Sequence, residues 1–153
     1  MGVFFELLHN KILITSITGW AVAQIGKVLI NLLLTGKVRL SLLVADGGMP
    51  SAHSATVASL CCAIGLSQGF DSAIFALSAI FAVVVLRDAV GVRRYVGVHA
   101  VTLNKVCDAI NDTIGFELFT KDLNESQGHT PLQVAAGCLT GILIALVIDL
   151  IMK

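Results

Sequence analysis

Two histidines occupy matching places in this chain, each just ahead of an apolar run: His53 closes Met49-Pro50-Ser51-Ala52-His53, and His129 opens His129-Thr130-Pro131. Between them, Arg87, Asp88, Arg93 and Arg94 follow the apolar segment Ser72 to Leu86. If each run is a helix, two helix starts and one helix end carry imidazole and guanidinium groups, and in an antiparallel bundle these three points can share one face. Such a set suits phosphoryl transfer. Backbone N–H groups at a helix start hold anionic oxygens, and an arginine fork binds two of them at once. Neutral imidazole can attack phosphorus or pass a proton to a leaving alkoxide. The arrangement needs neither metal nor cofactor. A metal site from His53, His99, His129 and Asp88 has no recognised ligand spacing.

The elements that must position these groups are apolar and long. Of the 153 residues, 56% are hydrophobic and 13% charged, and the mean hydropathy is +0.91. That is too apolar for an ordinary soluble domain and points to an integral membrane protein. The formal net charge is zero, so nothing in the charge balance favours a nucleic-acid partner. Cys61, Cys62, Cys107 and Cys138 lack the paired spacing of a zinc site or a disulfide framework and read as small buried hydrophobes. The N-terminal residues lack the basic region of a cleavable signal, so the first apolar stretch is read as a retained helix.

Ile12 to Leu34 is long enough to cross a hydrocarbon core of roughly 30 Å. Within it, Lys27 is expected to face other helices or to snorkel. Ser51 to Ser67 reads as a helix of small residues suited to close packing. Ser72 to Leu86 is short for a span unless it runs on through Arg87. Tyr95 to Gly115 mixes valines with His99, Asn104, Lys105, Asp108 and Asp112, which predicts an amphipathic helix at the interface or packed over the site. Phe116 to Gln127 reads as an exposed loop and a candidate lid. Pro131 to Met152 has a well-defined start, with Thr130 as N-cap, Pro131 at the first helical position and Gln133 completing a capping box. The expected fold is all-α: one membrane-embedded domain over residues 1–153, an integral bundle of about four spans plus an interfacial helix. Small-residue helices are compatible with a homodimer.

The positive-inside rule sets the orientation. Lys37, Arg39, Arg87, Arg93, Arg94, Lys105 and Lys121 fall on the histidine face, against Lys11 and Lys153 opposite. The histidine face is therefore expected in the cytoplasm, in the plasma membrane. Arg87 reads as a lipid-headgroup anchor, and Asp88 as the partner of one of the arginines.

Taken together, Met49-Pro50-Ser51-Ala52-His53-Ser54, Asp88-Ala89-Val90-Gly91-Val92-Arg93-Arg94 and His129-Thr130-Pro131-Leu132-Gln133-Val134-Ala135-Ala136-Gly137 resemble the motifs of the type 2 phosphatidic acid phosphatases. The pattern is similar to the divergent membrane branch of that superfamily, which also includes the vanadium-dependent haloperoxidases. The resemblance implies an acid-phosphatase-like hydrolase in which His129 is the nucleophile that forms a phosphohistidine and His53 is the general acid. Ser51 and the backbone at Ala52 match the phosphate-contacting part of the second motif.

Three departures stand out. No Arg-Pro pair precedes Pro50, and Asp122-Leu123 stands where the last motif has Ser-Arg, so Arg93 and Arg94 are the candidate replacements for phosphate binding. The family's orienting aspartate is Gln133 here. In a serine-protease triad the same change of carboxylate to amide costs about 10⁴ in rate. The expected function is thus metal-independent hydrolysis of a lipid or isoprenoid phosphate or pyrophosphate. The alternative is a non-catalytic membrane protein that binds or translocates phospholipid with the same pocket. A haloperoxidase is not expected from a fold that sits in lipid.

Overall fold

The structure is a computed structural model and describes residues 2–44, 47–115, 122–125 and 127–152. Expectations that fall on Asp46, on most of the 116–127 loop (Lys121 included), on Ser126 and on Lys153 lie outside the described residues.

Among the described residues six α-helices follow in order: α1 (Gly2–His9), α2 (Lys11–Thr35), α3 (Ala52–Gln68), α4 (Ala73–Val90), α5 (Val92–Ile114) and α6 (Pro131–Ile151), with a 3₁₀ turn at Leu40–Leu43. Helices α2, α3, α4 and α6 each start on a side-chain cap. Asn10 accepts from Leu13 N–H, Ser51 from Ser54 N–H, Ser72 from Phe75 N–H and Thr130 from Gln133 N–H. At the start of α6 the full capping box forms, with Gln133 Oε1 accepting from Thr130 N–H at 2.9 Å.

Large apolar side chains point outward, among them Leu77, Ile80 and Val84 on α4 and Leu139, Leu143 and Leu150 on α6. The most deeply buried positions are small, among them Ala23, Ala52, Ala55, Ser51, Ser54 and Ser59. This inverts a soluble core and is the distribution expected where lipid is the solvent, because helices then associate by close van der Waals packing rather than by hiding large hydrophobes. Among the described residues, three helical stretches are long and apolar enough to cross a membrane: α2, the α4–α5 stretch and α6. The 17-residue α3 spans about 25 Å and is the central helix, packed against α2, α4 and α6.

Glycines set the spacing of that centre. A Cβ at Gly137 would run into Ser51 O, one at Gly141 into Ala55 O, and one at Gly19 into Ser59 Oγ. The α3 backbone therefore lies directly against α6 and close to α2. At the far end, Lys11 Nζ pairs with Asp149 at 2.7 Å, joining α2 to α6.

One open boundary is resolved and one expected boundary moves. The segment Ser72 to Leu86, short for a span unless it runs on through Arg87, does run on through Arg87 and Asp88 to Val90, and α5 begins at Val92 rather than Tyr95. Charged side chains at the end of a membrane helix can reach out to water without breaking it. The break falls instead at Gly91, whose N–H caps the Arg87 carbonyl. Arg93 and Arg94 consequently sit in the first turn of α5, not in a loop. Among the helices, α5 packs against α4 alone.

Candidate functional site

The starts of α3, α5 and α6 and the end of α4 converge at one end of the bundle, and backbone hydrogen bonds fix the meeting. His129 N–H donates to Ala89 O at 3.0 Å, tying the residue ahead of α6 to the last turn of α4. Ser51 N–H donates to Gln133 O at 3.1 Å, tying the cap of α3 to the first turn of α6. Gly128, with φ of +80°, turns the chain into this position. A side chain there would also collide with the Arg94 backbone, so only glycine fits.

These constraints bring His53 and His129 together, with ring centroids 6.3 Å apart and planes at 56°. The two differ in surroundings. His129 is 4% exposed and its Nδ1 is buried, while His53, on the second residue of α3, is exposed. They share a small, partly open cavity with Val85, Asp88, Ala89, Arg93 and Gly128. Its volume, about 20 Å³, leaves room for about one water molecule.

The electrostatics favour an anion. None of α3, α5 and α6 carries an acidic residue in its first turn. Each helix start contributes roughly half a positive charge. Arg93 and Arg94 add full charges at the start of α5, where cations oppose the helix dipole and need a negative partner. Asp88 supplies one, its Oδ2 accepting from Arg93 Nε at 2.6 Å, as the sequence suggested. Arg94 faces a second and wider cavity on the other side of His129, bounded also by Gly47, Gly97, Glu125 and Gln133.

The remaining sequence-derived residues take supporting places. Ser51 is fully buried, and its Oγ accepts hydrogen bonds from both the N–H and the hydroxyl of Ser54. Neither Ser51 nor Ala52 lines either cavity. Gln133 is occupied by the capping box, which holds the His129-Thr130 corner. Arg87 is exposed and lies outside both cavities, and His99 lies on the exposed face of α5. Among the described residues, no group of three or more His, Cys, Asp and Glu comes together in a way that could hold a metal ion.

Lys27, expected to face other helices or to snorkel, is 3% exposed on α2, its stem passing close to Gly48, while one turn earlier Gln24 Nε2 donates to Leu43 O at 2.8 Å. One feature was missed from sequence. Asn104, midway along α5, clasps the segment ahead of His129. The glycine within α5 was the available signal, since a mid-helix Gly marks a close backbone approach. At Gly97 the carbonyls of Glu125 and Gln127 lie against the helix.

Outward apolar helices around a core of small residues, with two histidines at converging helix ends, define a helical membrane protein with a polar site at one end of its bundle. The chain belongs to the divergent PAP2 family, whose profile matches residues 8–144 and so takes in every site residue named above. It is 43% identical over 152 residues to a protein of Bacillus subtilis (strain 168) described as "Uncharacterized membrane protein YuiD", covering 94% of this chain and 96% of that one. No solved structure matches.

Proposed function

We propose that this protein is a metal-independent phosphohydrolase acting on a lipid or isoprenoid phosphate held at the membrane surface. The observation that carries the reading is the meeting of His53 and His129, distant in sequence, over a cavity that also holds Asp88 and Arg93. In the proposed reaction His129, its Nδ1 buried, attacks phosphorus through Nε2. The bond from phosphorus to the ester oxygen breaks, and His53 gives its proton to the departing oxygen. Water then attacks the phosphohistidine, His53 accepts a proton from it, and inorganic phosphate leaves with both histidines restored. Arg93, Arg94 and the helix starts stabilise the charge on the transferring group. Ser51 and Ala52 serve as the packed support of His53, with the helices acting as one unit.

A bilayer-level site fits a lipid substrate, since the headgroup meets the polar end while the chains stay in hydrocarbon. The excess of Lys and Arg on this face supports a cytoplasmic orientation in the plasma membrane.

One observation favours the second reading, a phospholipid-binding or lipid-translocating protein without turnover. Gln133 is engaged at the helix cap, in the position where the resembled family has an orienting carboxylate. Phosphate release from lipid phosphates in detergent, with chelator present, separates the two. Turnover that survives the chelator and falls at least about 10³-fold in His129→Ala supports the hydrolase. Vanadate binding with no turnover above the His129→Ala background rejects it in favour of the binder.

A further inference from the structure

His129 stands between two spaces of very different size. The gap on the His53 side measures about 20 Å³. The cavity on the other side measures about 370 Å³, within the roughly 300–1,000 Å³ of small-ligand pockets. A phosphate engaged by His129 would leave much of this wider space to whatever stands next to it on the ligand.

The lining of the wider cavity is mixed in charge. Among the described residues it carries one cation, Arg94, and one carboxylate, Glu125, together with the amides of Gln127 and Gln133 and an apolar wall at Val98 and Val101. Glu125 is held in place. Its Oε1 accepts from Asn104 Nδ2 at 2.9 Å, and the same amide donates to Leu123 O at 3.0 Å and accepts from Leu123 N–H at 2.9 Å. Asn104 is 9% exposed, so this clasp is anchored in the packed face of α5. A carboxylate held beside a phosphate site repels a second phosphate and accepts strongly from a nearby hydrogen-bond donor. Arg94, in the same lining, can serve the phosphate itself.

Building on the proposed phosphate site, we infer that the wider cavity is a recognition subsite for the substituent beside the reacting phosphate, and that it takes a donor-bearing group, an amine or a hydroxyl, rather than a second phosphate. The substrate class narrows accordingly to lipid phosphomonoesters with an amine or hydroxyl close to the ester. Val98 and Val101 cover the adjoining carbon atoms, and Glu125 reads the donor. Pyrophosphates are disfavoured by the same carboxylate.

The test uses the full chain in detergent and phosphonate analogues of equal chain length, which cannot be hydrolysed. Four are compared, bearing an amine, a hydroxyl, hydrogen or a second phosphonate beside the first. One charge-assisted hydrogen bond implies that the amine and hydroxyl analogues bind about tenfold tighter than the plain one. The bisphosphonate is expected to bind more weakly than either, and the amine and hydroxyl arms show which donor is preferred. Glu125→Gln should remove most of the ranking and leave the plain phosphonate within about twofold of wild type, as loss of a single contact requires. Val98→Phe, at an exposed position on α5 that lines the cavity, narrows it. It should weaken the amine and hydroxyl analogues and spare vanadate. A bisphosphonate that binds first, or a ranking unchanged in Glu125→Gln, overturns the subsite and leaves the phosphate site standing. If neither vanadate nor any phosphonate binds, the proposed function fails and the subsite fails with it.

Discussion

The seam between α3 and α6 and the shelf made by α5 with residues 122–125 and 127–130 hold two sides of one site by different physics. Along the seam, backbone meets backbone: Gly137 and Gly141 face the carbonyls of Ser51 and Ala55, and the serines between them are fully buried. A contact of that kind has no side chain to rotate and cannot yield by a few tenths of an ångström. On the shelf, α5 touches α4 alone among the helices, and Arg93, Arg94 and Glu125 are exposed. There the links are side-chain hydrogen bonds from Asn104 and the Asp88–Arg93 pair. The seam thus fixes where the histidines stand, and the shelf sets the charge around them. Position is rigid, while the electrostatic surroundings can be retuned by single substitutions.

Crowding the seam should break this contrast most severely. Gly141→Leu drives a side chain into the Ala55 backbone, and overpacking against main chain is expected to cost about 3 kcal/mol or to prevent assembly altogether, read as lost monodispersity or a lowered melting temperature in detergent. On the shelf, Asn104→Ala removes three hydrogen bonds at a nearly buried residue. A cost of about 1–2 kcal/mol is expected, with faster hydrogen exchange at 122–125 and none along α3. Thr130→Ala removes the cap of α6 and should cost about 1 kcal/mol in thermal unfolding. Asp88→Asn sharpens the comparison from the other side. Its ion pair is nearly half exposed, so stability should change by less than about 1 kcal/mol. Vanadate should nevertheless bind a few-fold tighter, because the site loses its negative charge. An equal loss of stability in Asp88→Asn and Gly141→Leu would erase the distinction between seam and shelf.

Much of the seam was legible in the sequence because its signals are local. Thr130-Pro131 with Gln133 announces a capped helix, Ser51 announces another, and the small residues of α3 announce close packing. The pairing of Asp88 with an arginine also followed from proximity in the chain. The shelf was harder to read. Arg87 and Asp88 look like the end of a span, yet the helix carries them to Val90 and breaks only at Gly91. The clasp from Asn104 to Leu123 and Glu125 joins residues that no local pattern connects. Lys27 reads from sequence as a residue that faces other helices or snorkels, and it is buried, but its place next to Gly48 depends on how the segment after α2 returns along that helix. Elements whose partners lie within a few residues could be read. Contacts that depend on the path of a connecting segment could not.

The central claim is that His129 carries the phosphoryl group and His53 manages the proton, and the intermediate itself is the most direct evidence. In His53→Ala, an aryl phosphate with a good leaving group needs no acid to depart, so the first step can proceed while hydrolysis of the phosphohistidine slows. Alkaline quenching followed by peptide mass spectrometry should then find one phosphoryl group on the peptide containing His129, and none in the His53→Ala/His129→Ala double variant. Phosphate on another residue, or no phosphoenzyme while wild type still turns over, would contradict the assignment.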